Sequence, residues 1–433
     1  MKRKKFCALL SSMIILLALV ASAVPAYTHD LPHTPSVVAP RALLMDWETG
    51  RVLFEKNGFE QTYPASTTKI MTAILVLEMG DLDEIVHITE PPGVTGSSLY
   101  IVPGESFSVD VLLEALLIRS ANDAAVVLAR HLAGSVESFV NLMNRRAVEL
   151  GATDTRFTNP HGMPDERHVS TAHDLAVMAQ HGMRFERFRE IVTQRTLIIP
   201  PTSETEQRVF NNSNRFLWGT GPRHQMLYQG HFTDIRYEPV DGVKTGYTNS
   251  ARNCLVSSAV FNDQRFIAVV LNAEQDSIYS DSRTLLDFGF QHFHHVDVVN
   301  EGVAAAWLPV SRGCTEVLAL YTTASFRHVL PRSILPDQIR HEVILDVEGM
   351  EAPVEQGSVL GRVEYYLDDQ LIGTVALANR HAVAYIPVYR RIPLPVYVLV
   401  SLIICLILWR NALLKKRRKR LRRRMHMQKT QCT

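Results

Sequence analysis

Short runs of hydrophobic residues mark the strands that the sequence predicts. In RALLMDWETGRVLFEKNG, residues 41–58, two such runs flank the turn residues 48–50. This pattern is typical of a hairpin at the edge of a sheet. Runs rich in β-branched residues return in VDGVKTGYT, NCLVSSAVF and RFIAVVLNA, and the turn residues Asn262 and Asp263 separate the last two. These runs predict further antiparallel strands.

Hydrophobic residues at helical spacing predict the other elements of this region. Residues 67–78 are good helix formers, and they follow Pro64 and Ser66, which are residue types that open helices. The pattern stays helical from residue 109 to 150, in segments that end at glycine or at a polar break. A last helix is predicted over SRTLLDFGFQHF, residues 282–293. Residues 30–293 are therefore predicted to form one domain of helices and strands.

The pattern changes after His295. Short strand-like runs such as TEVLALYTT, EVILDVEG, GRVEYYLDD and LIGTVALA are separated by Gly, Pro and Asp, with no long helical period. Residues 294–388 are therefore predicted to form a separate, small, β-sandwich-like domain.

Both ends of the chain carry targeting signals. Residues 1–26 have the basic start, apolar middle and small-residue finish of a secretory signal peptide. Near the other end, residues 392–409 are uncharged, and a helix over 392–412 is long enough to cross a membrane once. Because the tail 413–433 is strongly basic, we expect it to stay in the cytoplasm and the domains that precede the span to lie outside.

The distribution of charge along the chain argues against nucleic-acid binding. The chain of 433 residues has a formal net charge of +1, but all its acidic residues lie between Asp30 and Asp369, whereas many basic residues lie in the two terminal segments. The middle of the chain is therefore acidic. A nucleic-acid partner is not expected, since phosphate binding needs a basic face.

Ser66 and Lys69 form the first candidate for chemistry. They are three residues apart at the start of a predicted helix, so that their side chains are neighbours on one face. A serine hydroxyl has too high a pKa to attack a carbonyl unaided, and an amine can accept its proton only if burial or a second cation lowers the pKa of that amine. Ser66 and Lys69 are therefore a candidate nucleophile and base.

Two more motifs raise the specificity of this signal. Ser120 and Asn122 lie where a helical pattern breaks in LLIRSANDAA. Lys244 and Thr245 lie in a strand context in VDGVKTGYT, and Gly246 lets a ligand backbone approach that strand closely. Lys244 also supplies the second cation that the chemistry requires.

The three motifs, in this order, are those of the penicillin-recognising serine enzymes. More narrowly, the chain resembles the low-molecular-weight D-alanyl-D-alanine carboxypeptidases from about Ala42 to Asp369. PASTTKIMTA, FTNPHGM, VDGVKTGYT and EQGSVLGRVEYYLDDQLIG carry the likeness. The resemblance implies an α/β (α+β) transpeptidase-like domain, with a five-stranded antiparallel sheet flanked by helices, followed by a small all-β domain and a C-terminal transmembrane helix. It implies no metal and no organic cofactor.

The resemblance also implies a role for each residue. Ser66 attacks the carbonyl between two D-alanines of a peptidoglycan stem peptide, Lys69 takes its proton, and Ser120 relays a proton to the leaving amine. The backbone N–H groups of Ser66 and Tyr247 form the oxyanion hole. The expected substrate-binding residues are Asn122, Lys244, Thr245, Gly246 and Thr248. β-Lactams are expected to be trapped on Ser66 as covalent inhibitors.

Two positions depart from the family's usual pattern. Ile278 stands where an arginine associated with carboxylate recognition is usual, and Arg252 stands where a glycine is common. A guanidinium matches a carboxylate in a bidentate manner. We therefore expect Arg252 to take over part of the carboxylate binding.

Three alternative functions are weighed against this one. A β-lactamase needs a second base, and Glu166 is the candidate, but Ser170 follows where an asparagine is expected. An endopeptidase that cuts cross-links would use the same chemistry on another substrate. A membrane-tethered protein that binds wall peptide without cutting it is the third, and the three intact motifs argue against it.

The remaining candidates are expected to be structural. His168 at a loop-to-helix junction is expected to support the fold, and the cluster His292–His295 is expected to lie at the surface without metal, because no partner cysteine or carboxylate pattern accompanies it. Cys254 and Cys314 are expected to be two buried thiols.

Overall fold

The computed structural model describes residues 34–275, 277–387, 390 and 393–430. The predicted signal peptide lies outside the described residues. Within them, the α-helices are α1 (Lys69–Met79), α2 (Val109–Glu114), α3 (Asn122–Ala133), α4 (Val136–Glu149), α5 (Ala172–Gly182), α6 (Glu186–Thr193), α7 (Ile278–His292) and α8 (Leu394–Thr430).

The strands fall into a group that precedes α7 and a group that follows it. The first group is β1 (Arg41–Asp46), β2 (Val52–Lys56), β3 (Ile85–His87), β4 (Ser106–Ser108), β5 (Thr196–Ile199), β6 (Arg208–Asn211), β7 (Gln225–Tyr228), β8 (His231–Asp234), β9 (Val240–Thr248), β10 (Arg252–Phe261) and β11 (Gln264–Ala273). The second group is β12 (Phe293–Val299), β13 (Ala304–Ser311), β14 (Val317–Thr322), β15 (Phe326–Pro331), β16 (Arg340–Leu345), β17 (Met350–Glu351), β18 (Val359–Leu367) and β19 (Gln370–Asn379).

A five-stranded antiparallel sheet in the order β2-β1-β11-β10-β9 organises the larger unit. Alternate side chains of β1 enter two separate cores: Leu43 and Met45 pack with the helical block, whereas Ala42 and Leu44 pack with α7. Because both faces of the central strands are buried, these strands read as continuous hydrophobic runs. The predicted hairpin and the predicted sheet flanked by helices are both confirmed.

Helix α1 lies at the centre of the helical block. Its residues Lys69 to Val76 are all buried, including Ile70 and Ile74, which are fully inaccessible. A short 3₁₀ turn, Ala65–Thr68, precedes it. Ser66 therefore lies in this turn, just before the α-helix, and not inside the first turn of the α-helix.

The described residues divide into two compact units. One comprises the chain up to Val296 together with His328–Leu335, and the other comprises Asp297–Arg327 and the chain from Pro336 onward. The second unit is built on a six-stranded sheet in the order β16-β18-β19-β14-β13-β17, with its own buried core. This confirms the expected small β domain. The boundary predicted at residue 294 did not anticipate that His328–Leu335 returns to the first unit.

Helix α8 is the one helix of the described residues that is long and apolar enough to span a membrane, over Leu394–Arg422. It contains most of the predicted span. None of its apolar window is buried within the protein, as expected for a segment that faces lipid.

Two structural expectations are wrong in part. Cys254 is buried, but Cys314 is exposed, and neither is in a disulfide. The side chain of His295 is not at the surface: it is 2% exposed, and its Nε2 lies 2.8 Å from Oδ1 of Asp46, which is fully buried. His295 therefore helps to hold strand β1, because a buried carboxylate needs a partner.

Candidate active site

The turn that carries Ser66 is packed against two glycines. A Cβ on Gly162 would lie 1.9 Å from the carbonyl oxygen of Ala65, and a Cβ on Gly246 would lie 3.0 Å from the backbone nitrogen of Ser66. Only residues without a side chain allow this approach. Ala65 itself has a φ of 48°, a strained region for a residue with a side chain. The backbone around Ser66 is thus held by its surroundings.

Lys69 points its amine at Ser66. Its Nζ lies 3.0 Å from Oγ of Ser66, 2.7 Å from Oδ1 of Asn122 and 2.6 Å from the carbonyl oxygen of His161. The side chain is fully buried. The two oxygens accept N–H groups from the amine, so that Lys69 is fixed in one orientation beside the hydroxyl.

Burial and charge both act on the two lysines of the site. Burial lowers the pKa of Lys69 well below its usual value, the charge of Lys244 lowers it further, and Asp123 opposes them. Burial alone lowers the pKa of Lys244 to about 7. The charge of Lys244 thus acts on Lys69, where a full charge on both amines is unfavourable; the convergence of both amines on Ser66 stays a prediction.

Asn122 has another partner than the one predicted for it. Its Oδ1 accepts from Lys69, and its Nδ2 donates to the carbonyl oxygen of Thr95 at 2.7 Å. The amide therefore orients Lys69 in this structure, and its binding of a substrate amide stays a prediction.

The next residue, Asp123, holds the loop that crosses the site. Its carboxylate accepts from the hydroxyl of Ser98 at 2.5 Å and from the backbone N–H groups of Leu99 and Ile101 at 2.9 Å and 3.1 Å. Asp123 is buried in the first turn of α3, where a negative charge is favourable. Sequence reasoning missed this role, although the position of Asp123 at a helix start is visible in the sequence.

Ser120 ends a π-type helical turn, Ala115–Arg119, in a left-handed conformation with φ 65°. Such a conformation is rare for serine and is maintained only where the surrounding structure fixes it. Ser120 lines the same cleft as Ser66. The predicted break in the helical pattern before NDAA is confirmed at Ser120, between the π-type turn and α3.

Strand β9 forms the opposite wall. Thr245 donates its hydroxyl to Oγ of Ser213 at 2.7 Å, and Nζ of Lys244 donates to the carbonyl oxygen of Thr245 at 3.0 Å. Gly246 and Tyr247 line the cleft beside Ser66. The close approach of Gly246 to the nitrogen of Ser66 brings this part of β9 to the start of α1, where an oxyanion hole is expected.

A loop that sequence reasoning did not assign to the site completes it. Oδ1 of Asn159 accepts from the N–H of Gly162 at 2.7 Å, and Thr72 donates to the carbonyl oxygen of Pro160 at 2.6 Å. These contacts fix the neighbouring carbonyl of His161 that accepts from Lys69. The signal in the sequence was the run NPHGM, whose glycine has a φ of 86°.

His168 connects this loop to the turn that carries Ser66. It is 2% exposed, its Nε2 lies 2.7 Å from Oγ1 of Thr68, and its Nδ1 accepts from the N–H of Thr158 at 3.0 Å. Burial lowers its pKa to about 4, and Lys69 acts in the same direction while Asp165 opposes it. A neutral His168 bonded to two threonines fits the expected structural role.

The cleft has a volume of about 370 Å³. It is lined by Ser66, Ser97, Arg119, Ser120, Ser213, Arg215, Thr245, Gly246, Tyr247, Asn253, Cys254, Gln275, Ile278 and Tyr279. Five of the predicted site residues, Ser66, Ser120, Thr245, Gly246 and Tyr247, are thus joined by two arginines that the sequence analysis did not single out, Arg119 and Arg215.

The structure does not bring every predicted residue to the cleft. The side chain of Arg252 is 53% exposed and pairs with Glu274, and it is not among the lining residues. Thr248 caps a turn by accepting from the N–H of Ala251 at 3.0 Å. The carboxylate-binding roles of Arg252 and Thr248 stay predictions. Glu166, the candidate base of a β-lactamase, is exposed and does not line the cleft either.

Arg215 is the better placed cation. Its Nη2 donates to the carbonyl oxygen of Arg223 at 3.1 Å, and its guanidinium lies 5.8 Å from the ring centre of Tyr279. Its Nε is buried and has no hydrogen-bond partner among the described residues. No group of three His, Cys, Asp or Glu side chains in the described residues is arranged to hold a metal ion.

Comparisons with family models cover most of the chain. A model described as D-alanyl-D-alanine carboxypeptidase matches residues 28–275. A second, described as the C-terminal domain of penicillin-binding protein 5, matches residues 293–385.

Individual relatives agree with these matches. The chain is 30% identical to the D-alanyl-D-alanine carboxypeptidase DacF of Bacillus subtilis, over 86% of this chain and 93% of that protein. It is 32% identical to DacC of Escherichia coli, over 78% and 83%. The crystal structure of penicillin-binding protein 5 from Haemophilus influenzae is similar with a TM-score of 0.67 and 27% identity, covering 81% of this chain and 98% of that one.

Proposed function

The chain belongs to the D-alanyl-D-alanine carboxypeptidase family of serine peptidases, and we propose that its cleft removes the last D-alanine from peptidoglycan stem peptides through an ester on Ser66. The observation that carries this proposal is the set of three contacts of Lys69. A neutral amine has two N–H groups and one lone pair. Asn122 and His161 accept the two N–H groups, so the lone pair faces the Ser66 hydroxyl at 3.0 Å.

In the first step, Oγ of Ser66 attacks the carbonyl carbon of the bond between the two D-alanines, and Lys69 takes the hydroxyl proton. Burial and the charge of Lys244 lower the pKa of Lys69 well below its usual value, which favours the neutral amine that a general base requires. The negative oxygen of the intermediate is bound by the backbone N–H groups of Ser66 and Tyr247. Each such donor is typically worth ~100-fold to ~1000-fold in rate.

The amide bond then breaks, and the leaving nitrogen takes a proton. We assign this transfer to Lys69 through Ser120, whose position in the same cleft supports it. Water then attacks the ester, the proton of that water returns through Lys69, and the shortened peptide leaves with Ser66 restored.

Recognition of the terminal carboxylate falls to Thr245 and to Arg215. Thr245 has its hydroxyl at the cleft wall, and Arg215 supplies the charge that Ile278 does not. The guanidinium of Arg215 lines the cleft, and a charge-assisted hydrogen bond is stronger than a neutral one. Arg215 thus replaces Arg252 as the first candidate for the cation that binds the terminal carboxylate of the substrate.

Two assays test the function. The first measures the D-alanine that the protein releases from a peptide ending in D-Ala-D-Ala. The second incubates the protein with labelled benzylpenicillin and measures the covalent adduct. Release together with a stable adduct supports the carboxypeptidase. An adduct without release supports a protein that binds wall peptide, and rapid loss of the adduct with destruction of the penicillin supports a β-lactamase. Either of the last two results contradicts the proposal.

We propose that helix α8, which is long and apolar enough to span a membrane, anchors the protein there, with the catalytic unit outside the cytoplasm and the basic tail inside. The cluster of basic residues directly after the apolar segment supports this orientation. A thiol reagent that cannot cross membranes tests it in intact cells. Cys314 is exposed and should be labelled, whereas Cys432 in the tail should react only after lysis. Labelling of Cys432 in intact cells would show that the tail lies outside and would contradict the proposed orientation.

A further inference from the structure

Strands β13 and β14 of the second unit carry apolar side chains on both faces. Leu308 and Leu318 point inward and belong to the core of this unit. On the other face Trp307, Pro309 and Val317 are exposed, Trp307 at 64% and Val317 at 53%. The exposed face of an antiparallel sheet is usually polar. A group of large apolar side chains on such a face therefore indicates an interaction surface.

These side chains adjoin one another at one end of the sheet. Pro309 is directly opposite Val317, and Trp307 is two residues before Pro309 on the same face. Diagonal neighbours of this kind are within reach of an aromatic side chain. Tyr385, which is 43% exposed, lies at the same end, because it bridges to Gly313 in the turn between β13 and β14. We call Trp307, Pro309, Val317 and Tyr385 the turn-end patch.

The chain leaves the β domain at this same end. The N–H of Cys314 donates to the carbonyl oxygen of Ala384 at 2.9 Å, and the N–H of Ile386 donates to the carbonyl oxygen of Arg312 at 2.8 Å. The segment that leads to α8 is therefore fixed to the turn between β13 and β14 until Ile386. Helix α8 begins at Leu394.

The connection from Ile386 to α8 is short. Its eight residue steps span at most ~29 Å when fully extended. A turn in which the N–H of Arg390 donates to the carbonyl oxygen of Pro387 shortens this reach to roughly 25 Å. The turn-end patch is thus held close to the start of the apolar helix.

The opposite end of the same sheet is much farther from this exit. Strand β14 runs from Val317 to Thr322, which is paired with Leu377, and β19 extends from there back to Gln370. The turn at Asp368 therefore lies ~40 Å from the turn-end patch along the strands. This end provides a matched control position in the same domain.

The charged residues of the turn between β13 and β14 do not form a basic surface. Arg312 pairs with Glu351 at 2.7 Å, and the other charged residue of this turn, Glu316, is acidic. Attraction to acidic phosphates therefore does not favour a contact here, and the apolar side chains must supply it. Trp and Tyr side chains prefer the layer between lipid headgroups and acyl chains, which accommodates an apolar ring together with a polar atom.

We propose that the turn-end patch rests in the headgroup layer of the membrane that α8 spans, as a second contact of the β domain with lipid. This inference rests on the proposed anchoring by α8. Burial of Trp307 and Val317 against lipid removes apolar surface from water. Because the connection to α8 is short, the contact forms within one anchored molecule, which raises the effective concentration of lipid at the patch.

The test uses the full-length protein in lipid nanodiscs that each hold one chain. With Cys7→Ser, Cys405→Ser and Cys432→Ser, and with Cys254 buried, a fluorescent dye attached through a thiol reports on Cys314 alone. The quencher is a nitroxide on the lipid headgroups.

A second protein carries the dye at the far end of the sheet, through Asp368→Cys with Cys314→Ser. Since the two dye positions are ~40 Å apart along the strands, the dye at Cys314 should be quenched at least about fivefold more. This difference should persist in zwitterionic lipid and at high salt, because the contact is apolar.

Variants of the patch identify the side chains that make the contact. Trp307→Ser together with Val317→Ser should lower the quenching at Cys314 at least about threefold, because most of the apolar surface of the contact is lost. Leu371→Ser is the matched control, since it removes a 50% exposed apolar side chain near the far end, and it should leave the quenching unchanged. All these proteins should release D-alanine from a soluble peptide at the same rate, because none of the changed residues lines the cleft.

Equal quenching at the two dye positions would contradict the inference, and so would quenching at Cys314 that the double variant leaves unchanged. A dye at Cys314 that is shielded only when two chains share a disc would show that a second copy of the chain covers the patch, which also contradicts it. A protein that does not stay in the nanodiscs would overturn the proposed anchoring by α8, and this inference with it.

Discussion

The buried charge of Lys244 should lower the free energy of unfolding of the protein, although Lys244 is needed for activity. It is 1% exposed, and burial lowers its pKa from 10.5 to about 7. The difference corresponds to about 5 kcal/mol at 1.4 kcal/mol per pH unit. Because the folded state binds its proton less tightly than the unfolded state, this cost is complete below pH 7, decreases as the pH rises, and vanishes above 10.5.

Replacing Lys244→Met removes this cost together with one hydrogen bond. The bond from Nζ to the carbonyl oxygen of Thr245, at 3.0 Å, is worth about 1.5–3 kcal/mol when its donor is charged. The variant should therefore be inactive, yet more stable than the wild type by about 2–3 kcal/mol at pH 6. By pH 9 the wild type has regained about 3 kcal/mol, so the two proteins should be nearly equal.

The assay is urea unfolding of the catalytic unit in full-length protein, followed by tryptophan fluorescence at pH 6 and pH 9. Arg145→Met is the matched control, since it removes one positive charge from an exposed position. Its effect should be small and independent of pH. A Lys244→Met variant that is less stable at pH 6, or whose difference from the wild type does not change with pH, would refute the claim that Lys244 is buried at a cost.

Three further predictions concern activity. Asn122→Asp places a negative charge 2.7 Å from Nζ of Lys69, which raises the pKa of the amine. The acidic limb of the pH profile of the acylation rate should therefore move to higher pH. An unchanged acidic limb would contradict the role of Lys69 as base. Gly246→Ala puts a Cβ 3.0 Å from the backbone nitrogen of Ser66, so the start of α1 must shift and the melting temperature should fall. The acylation rate of the folded variant should fall ~100-fold. A normal acylation rate would show that the oxyanion hole does not lie here. Arg215→Ala should lower kcat/KM about 10- to 100-fold on a peptide with a free terminal carboxylate, but not on the corresponding carboxamide. Arg252→Ala should leave kcat/KM unchanged on both substrates. A larger loss in Arg252→Ala than in Arg215→Ala would show that Arg252 binds the carboxylate.

Much of the fold and the core of the site could be predicted because their signals are local. Ser66 and Lys69 are three residues apart, and the strand that carries Lys244 and Thr245 reads as a β-branched run. The same holds for the hairpin of β1 and β2, whose turn is visible in the sequence. Such patterns depend on neighbouring residues alone, and the structure preserves them.

The rest of the site depends on contacts between distant residues. His161 accepts from Lys69 across 92 positions of the chain, and Asn122 does so across 53. No local pattern shows that a backbone carbonyl will face an amine. For the same reason the sequence predicted no hairpin of β7 and β8 and gave no sign that Arg215 lines the cleft, while Arg252, which is nearer to the motif along the chain, points elsewhere.

Expectations about single surface residues were the least successful. His295 was expected at the surface, but its contact with Asp46 lies 249 positions away in the chain. Cys314 was expected to be buried, but it lies at an exposed position of the β domain. Burial of a single side chain depends on which elements pack over it, and that is set by the tertiary fold.

The most direct test of the account is the pH dependence of the rate at which benzylpenicillin acylates the protein, with the modified residue identified by mass spectrometry of peptides. The account predicts an adduct on Ser66 and a rate that is already substantial near pH 7, because the amine of Lys69 loses its proton far below the usual range of a lysine. An adduct on another residue, or a rate that rises only near pH 10, would show that Lys69 is an ordinary lysine and would contradict the mechanism.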